Sequence, residues 1–326
     1  MHSFIFSHIL LITEPRTPLN NADHARSFNF KDKRKMLKEH QLATNIEEQL
    51  ENLKTLGCTI EDETEAANFL NNVSYFRLIK GFGFTFKNVN SPYNPGTTFN
   101  QIKNLYLFNA KFRHLIFPEI EKVEINFRCR IANYFCCKYG VLGYKKADNF
   151  KDKEHHQKFL EDINSEIRRN NRSPFVKNFQ TNYKGGELPL YAAIELFSFG
   201  TLSKFYKNMK NCDKKEIAKL YNVSYTYLES WIEHLAYVRN ICAHYGRLYN
   251  INLSKTPKLY KEYDAVSTIR IYATLICLKY LLPDKDHWQR FIEELNGLIS
   301  YYPCVNISLM GFPSDVDWKK YLLDNL

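Results

Sequence analysis

Glycine and proline are scarce, at 12 and 11 of 326 residues. So few turn-forming residues argue against a many-turned β-sandwich and against glycine-rich folds. No apolar run reaches the roughly 18 residues that a membrane-spanning helix needs, and mean hydropathy is −0.43. The apolar stretch Phe4 to Ile12 is short, lacks a basic start and runs into Glu14-Pro15-Arg16, which makes a poor secretory signal. None of the eight cysteines forms a C-x-x-C pair. No Cys/His group has zinc-ligand spacing, so no metal and no cofactor are expected. A chain of this length buries a core without disulfide staples, so the thiols read as reduced and the compartment as cytoplasmic. Clustered acids of the kind a metal-dependent nuclease uses are missing, as are internal repeats, low-complexity tracts and strand alternation.

Aromatic residues and positive charge are plentiful. There are 24 Phe and 22 Tyr, and 45 Lys+Arg stand against 35 Asp+Glu, a net charge of +10. A basic surface suits an acidic partner, nucleic acid first, because each Lys or Arg on a phosphate releases a counterion.

Helical periodicity dominates, so the class is all-α. Helices are expected at Ile46 to Leu56, Thr64 to Val73, Thr98 to Tyr139, Lys151 to Arg169, Leu190 to Met209, Lys214 to Leu220, Ser224 to Tyr245, Val266 to Leu282 and Trp288 to Ser300. Pro118 should kink or divide the third, and Phe199-Gly200 should interrupt the fifth. Residues 1–35 read as a loose extension, and Lys31 to Lys38 as a solvated basic arm. Residues 36–97 read as an N-terminal helical region, and 98–326 as the main helical domain. The Phe and Tyr at helical spacing read as core.

The stretch Tyr227 to Asn250 holds the chemistry. Leu228, Trp231, Ile232, Leu235 and Cys242 make one apolar stripe, with Arg239 near its centre. An arginine there is costly unless it is paired or faces a polar cleft. On an ideal helix Arg239 and His244 lie about 140° apart. To converge, Arg239 must bend round, the helix must distort, or two copies must meet. Metal-free RNA cleavage needs a proton shuttle near neutrality, which suits histidine. It also needs a fixed cation for the phosphorane, which suits arginine. Asn240 could orient either group.

Arg239-Asn240-x-x-x-His244 resembles the R-N/D/H-x(3–5)-H signature of the HEPN ribonuclease superfamily. Its surroundings, from Leu228-Glu-Ser-Trp to Arg247-Leu-Tyr-Asn250, resemble the Abi family of bacterial abortive-infection proteins, of the AbiD/AbiF type. Tyr75-Phe-Arg-Leu, Ile120-Glu-Lys-Val-Glu124-Ile-Asn-Phe-Arg128, Leu188 to Ser203 and Met310-Gly-Phe-Pro313 with Trp318 resemble further elements of that family in the same order. The likeness runs from about residue 40 to the end. Asn109 stands where the family usually has Asp, Tyr191 and Tyr249 where Trp is common, and Tyr245 where His is frequent.

The resemblance implies a HEPN-type bundle with an additional N-terminal helical region. It also implies a metal-independent endoribonuclease of phage defence, with a site built across a homodimer. His244 would move protons, Arg239 would stabilise the phosphorane and Asn240 would orient. A non-catalytic RNA-binding module is the alternative. A regulatory small RNA or an antitoxin is a further expected partner.

Other residues could support this site. Glu124 can pair with Arg239, or with Arg128 four residues on. Arg247 can contact phosphate or join a structural ion pair. Arg128, Arg168, Arg169 and Arg172 are candidates for the RNA backbone. Glu195 lies among apolar residues and should have a buried arginine partner.

Overall fold

A computed structural model describes residues 42–87, 92–314 and 316–324. The chain divides into two units, Met1–Ala43 and Thr44–Leu326, and every described helix belongs to the second. The expected extension over 1–35 and the basic arm lie outside the described residues.

The protein is all-α. Among the described residues there are twelve α-helices and no β-sheet. Helix α1 (Ile46–Thr55) opens with a capping box in which Asn45 and Glu48 satisfy each other's backbone N–H. Helix α2 (Glu63–Asn72) starts on the Asp62 side chain. A π-helical turn comes next at Phe76–Lys80.

Helix α3 (Phe99–Tyr139) is the central strut. At 1.5 Å per residue it is about 60 Å long. It begins on a Thr98/Gln101 capping box and ends at Gly140, whose φ of 78° few other residues accept. Leu105, Phe108, Phe112, Ile116, Ile120, Val123, Phe127, Ile131 and Phe135 form its buried face. Pro118 does not divide it. Pro118 and His114 both lie on the exposed side, so the carbonyl that loses its partner opens to water.

Helices α4 (Lys153–Arg169), α5 (Pro174–Asn182) and the single turn α6 (Leu190–Ala193) come next. The expected Leu190–Met209 helix is broken before Phe199-Gly200. Ser198 is extended and its hydroxyl caps α7 (Phe199–Asn208). Helix α8 (Asn211–Lys219) is pinned to the end of α3 through Asp213, which is wholly buried. Asp213 accepts from Tyr134 at 2.9 Å and Tyr139 at 2.8 Å, and pairs with Lys138. Burial opposes its ionisation, but these donors together hold its carboxyl below the ordinary value.

Helix α9 (Tyr225–Ala243) packs between α3 and α7. Helix α10 (Tyr272–Leu281) is apolar but for Thr274 and Lys279 and is buried along almost its whole length. Helix α11 (Lys285–Tyr301) returns along α3, and α12 (Trp318–Leu323) closes against α10 and α11. No helix among the described residues is long and apolar enough to cross a membrane. The cysteines are free thiols. No His/Cys/Asp/Glu group among the described residues could hold a metal ion.

Candidate active site

The Arg239-Asn240-x-x-x-His244 motif occupies the last turn of α9 and its end. Leu228, Trp231, Ile232, Leu235, Val238 and Cys242 anchor the helix in the core. His234, on the same helix, is completely buried. Its Nδ1 donates to the Lys255 carbonyl at 2.6 Å, and its Nε2 lies 2.8 Å from the Thr274 hydroxyl. Burial depresses its pKa to about 4, so it is neutral.

Arg239 is half-buried and leans toward α3. Its Nε lies 3.5 Å from Glu124 Oε2, and its guanidinium carbon is 5.9 Å from the Phe117 ring centroid. Its two terminal nitrogens have no protein partner among the described residues, so the fork is open to a ligand. The other oxygen of Glu124 accepts from Arg128 at 2.8 Å. Glu124 thus makes both of the pairings open to it, and is a bridge between two arginines. The two arginines differ. Arg128 also donates to the Phe197 carbonyl at 3.0 Å and to the Ile194 carbonyl. Its guanidinium is engaged by the fold and ties α3 to the segment before α7.

Asn240 and His244 are exposed. Their side chains carry no hydrogen bond among the described residues. His244 is the C-cap of α9, with its N–H on the Asn240 carbonyl at 3.1 Å. The chain then makes a Schellman motif. Tyr245 N–H bonds the Cys242 carbonyl at 3.1 Å, and Gly246 N–H bonds the Ile241 carbonyl at 2.8 Å.

Side chains from distant segments hold the chain beyond His244. Arg77, on the π-helical turn, donates to the Tyr245 carbonyl at 3.0 Å. Arg113 of α3, itself buried, donates to the Gly246 carbonyl at 3.2 Å. Asn109 Oδ1 accepts the N–H groups of Leu248 at 2.8 Å and Tyr249 at 3.0 Å. Arg247 donates to the Gly81 carbonyl and lies 4.6 Å from the Phe84 ring. Arg270 reaches Asn250 Oδ1 at 3.1 Å. Within the fold the partners of Arg247 are a carbonyl and a ring, with no carboxylate among the described residues.

Asn109 also explains its own departure from the family pattern. The site asks for an acceptor of two N–H groups, and an amide oxygen supplies one as an acid would. The cost is its Nδ2, which is buried without a partner. Arg77 and Arg113 are the bracing residues that periodicity alone does not reveal. Arg77 was visible only within the Tyr75-Phe-Arg-Leu element. Arg113 has a plainer signal, a charge set inside the apolar stripe of α3.

Arg168, Arg169 and Arg172 lie far along the chain, at the end of α4 and just beyond it. All three are exposed. Arg169 pairs with Glu166, and the other two side chains have no partner among the described residues. Glu195 is exposed, not buried with an arginine, because the 3-10 turn at Ile194–Leu196 rotates it outward.

These features define an all-α protein whose candidate chemistry sits on open surface, at a helix end braced by arginines. Residues 68–250, more than half of the chain, match the model of the Abi-like protein family, and the chain belongs to that family. Comparison with curated proteins and with solved structures gives no match.

Proposed function

We propose that this chain is a metal-independent endoribonuclease of HEPN type, acting in an abortive-infection response to phage. One observation carries the reading. Glu124 holds Arg239 by its Nε edge, and the rest of the fork stays open, five residues before an exposed, unbonded His244. An arginine so oriented suits two phosphate oxygens. Family membership supports the defence context.

In this mechanism the 2′-oxygen of a ribose attacks the adjoining phosphorus and the 5′-oxygen leaves, giving a 2′,3′-cyclic phosphate. His244 takes the 2′-OH proton or protonates the leaving oxygen. Arg239 offsets the charge that builds on the phosphorane. Asn240 orients a phosphate oxygen or the imidazole. Since one helix sets Arg239 and His244 about 140° apart, two copies facing each other in a homodimer complete the centre. The exposed Arg168, Arg169 and Arg172 contact RNA backbone. A bound small RNA or an antitoxin covers the basic surface until infection.

The test is cleavage of a labelled RNA panel with EDTA present, comparing the wild type with His244→Ala. Cleavage that depends on His244 and leaves 2′,3′-cyclic phosphate ends is expected. RNA bound tightly but cut by neither form would replace the enzyme with a non-catalytic RNA-binding module.

A further inference from the structure

Most aromatic rings of the chain are packed into the core, but Tyr245 is not. It occupies the position of the Schellman motif that ordinarily belongs to glycine. Its φ of 55° is left-handed, a conformation that disfavours any residue with a Cβ. In return the fold gains from the ring only the nearness of its phenol to the Arg113 guanidinium. The residue is 66% exposed, and the side chain makes no hydrogen bond or ring contact among the described residues.

The backbone is held in this conformation from outside. Arg77 grips the Tyr245 carbonyl and Arg113 the next one. Gly246 packs so closely on Ile241 that a Cβ there would fall 2.7 Å from its Cγ2. A strained residue that is braced by its surroundings and unused by the core points to a ligand.

The neighbours say which ligand. Tyr245 directly follows His244. Its carbonyl is bonded to Arg77, which shares its π-helical turn with exposed Lys80. Phe76, 72% exposed, is the residue before Arg77. Glu124, the carboxylate of the site, is already taken by Arg128 and Arg239. Open rings among cations and amides suit a base joined to its phosphate.

We infer that Tyr245 is a base-stacking residue. Its ring takes the face of a nucleotide adjoining the phosphate held at Arg239 and His244, and the site therefore accepts single-stranded RNA. Bases within a duplex are stacked on each other and offer no free face. The inference rests on the RNA-directed reading of the site.

Binding tests it without needing cleavage. The probe is a single-stranded RNA carrying 2-aminopurine, titrated into full-length His244→Ala protein. Tyr245→Asn and Tyr245→Phe are added separately to that background. Asparagine accepts left-handed backbone better than most residues, so it removes the ring and keeps the turn. Tyr245→Asn should raise Kd by about tenfold or more and abolish the fluorescence quenching, whereas Tyr245→Phe should keep both. A duplex of the same sequence should bind more weakly than the single strand.

Equal Kd for all three proteins, or no RNA binding by any, overturns the inference. So does a change of oligomeric state in Tyr245→Asn, which would mean that the ring covers a second copy of the chain. The cleavage assay answers separately: cutting that persists while stacking fails sinks this inference alone, and stacking without cutting sinks the ribonuclease alone.

Discussion

His234 and His244 are ten residues apart on the helix that carries the motif, and their surroundings are opposite. His234 is sealed between the Lys255 carbonyl and the Thr274 hydroxyl and stays neutral. His244 stands exposed at the helix end with no side-chain partner among the described residues. The first is tied into the fold on both ring nitrogens. The second leaves both of its nitrogens free for chemistry. Glu124 repeats the contrast with arginines: Arg128 is fully engaged by the protein, and Arg239 keeps its terminal nitrogens open. In both pairs the group available for a reaction is the one that the fold leaves unfinished.

The largest effect should come from His244→Ala. Loss of a proton shuttle lowers RNA cleavage by about 10²- to 10⁴-fold, while stability stays within about 0.5 kcal/mol because the residue is exposed. Cleavage rates and thermal melting on the same preparation check this. An equal loss of stability would erase the distinction between the two histidines.

Acid should expose the other half of the comparison. The folded pKa of His234, about 4, lies below the ordinary 6.5. Its contribution is therefore full above about pH 6.5 and is lost as pH falls toward 4, because the unfolded chain takes up a proton that the folded one refuses. That loss amounts to about 3 kcal/mol across the window. Urea unfolding at several pH values should show it. The slope between pH 6.5 and 4 should flatten in His234→Gln, and His244→Ala should keep the wild-type slope.

The arginines should separate in the same way at smaller amplitude. Arg128→Ala leaves Glu124 short of a partner and two carbonyls short of donors, costing about 2 kcal/mol of stability. Arg239→Lys keeps the charge but loses the fork, so it should cut cleavage by about tenfold or more with little change in melting. If Arg128→Ala melts like the wild type, its three contacts are not what holds α3 to the segment before α7.

Asn109→Asp should do least. The acid still accepts the two N–H groups, by charge-assisted bonds, and the orphan Nδ2 disappears. Burial of the charge offsets that gain, and the net change should stay within about 1 kcal/mol. Thermal melting near neutral pH would detect a larger one.

Much of the fold was legible because the strongest signals are local. The apolar periods of α1 and α3 and the long stripe of α9 each place a helix to within a residue or two. The errors fall where tertiary contacts overrule the pattern. Val266, Ile269 and Ile271 read as helix, but the chain turns there and α10 starts at Tyr272. Helix α5 lay unnoticed in a charged segment, although Ser173-Pro174 is an N-terminal signal for it. Within the site, the trio and Glu124 were visible as a motif and its partner. The clamp made by Arg77, Asn109 and Arg113 was not, since it joins residues more than 130 positions apart.

The contacts made by residues after the motif have a consequence for how the chain is made. A ribosome has finished Arg239, Asn240 and His244 before it reaches Arg270, which grips Asn250, or Asn306, whose N–H bonds the Tyr249 hydroxyl at 3.3 Å. The bracing beyond the motif therefore completes only after the motif itself has been made. The emerging polypeptide carries the motif, with the Arg77, Asn109 and Arg113 braces made before it, for some time before Arg270 and Asn306 are added.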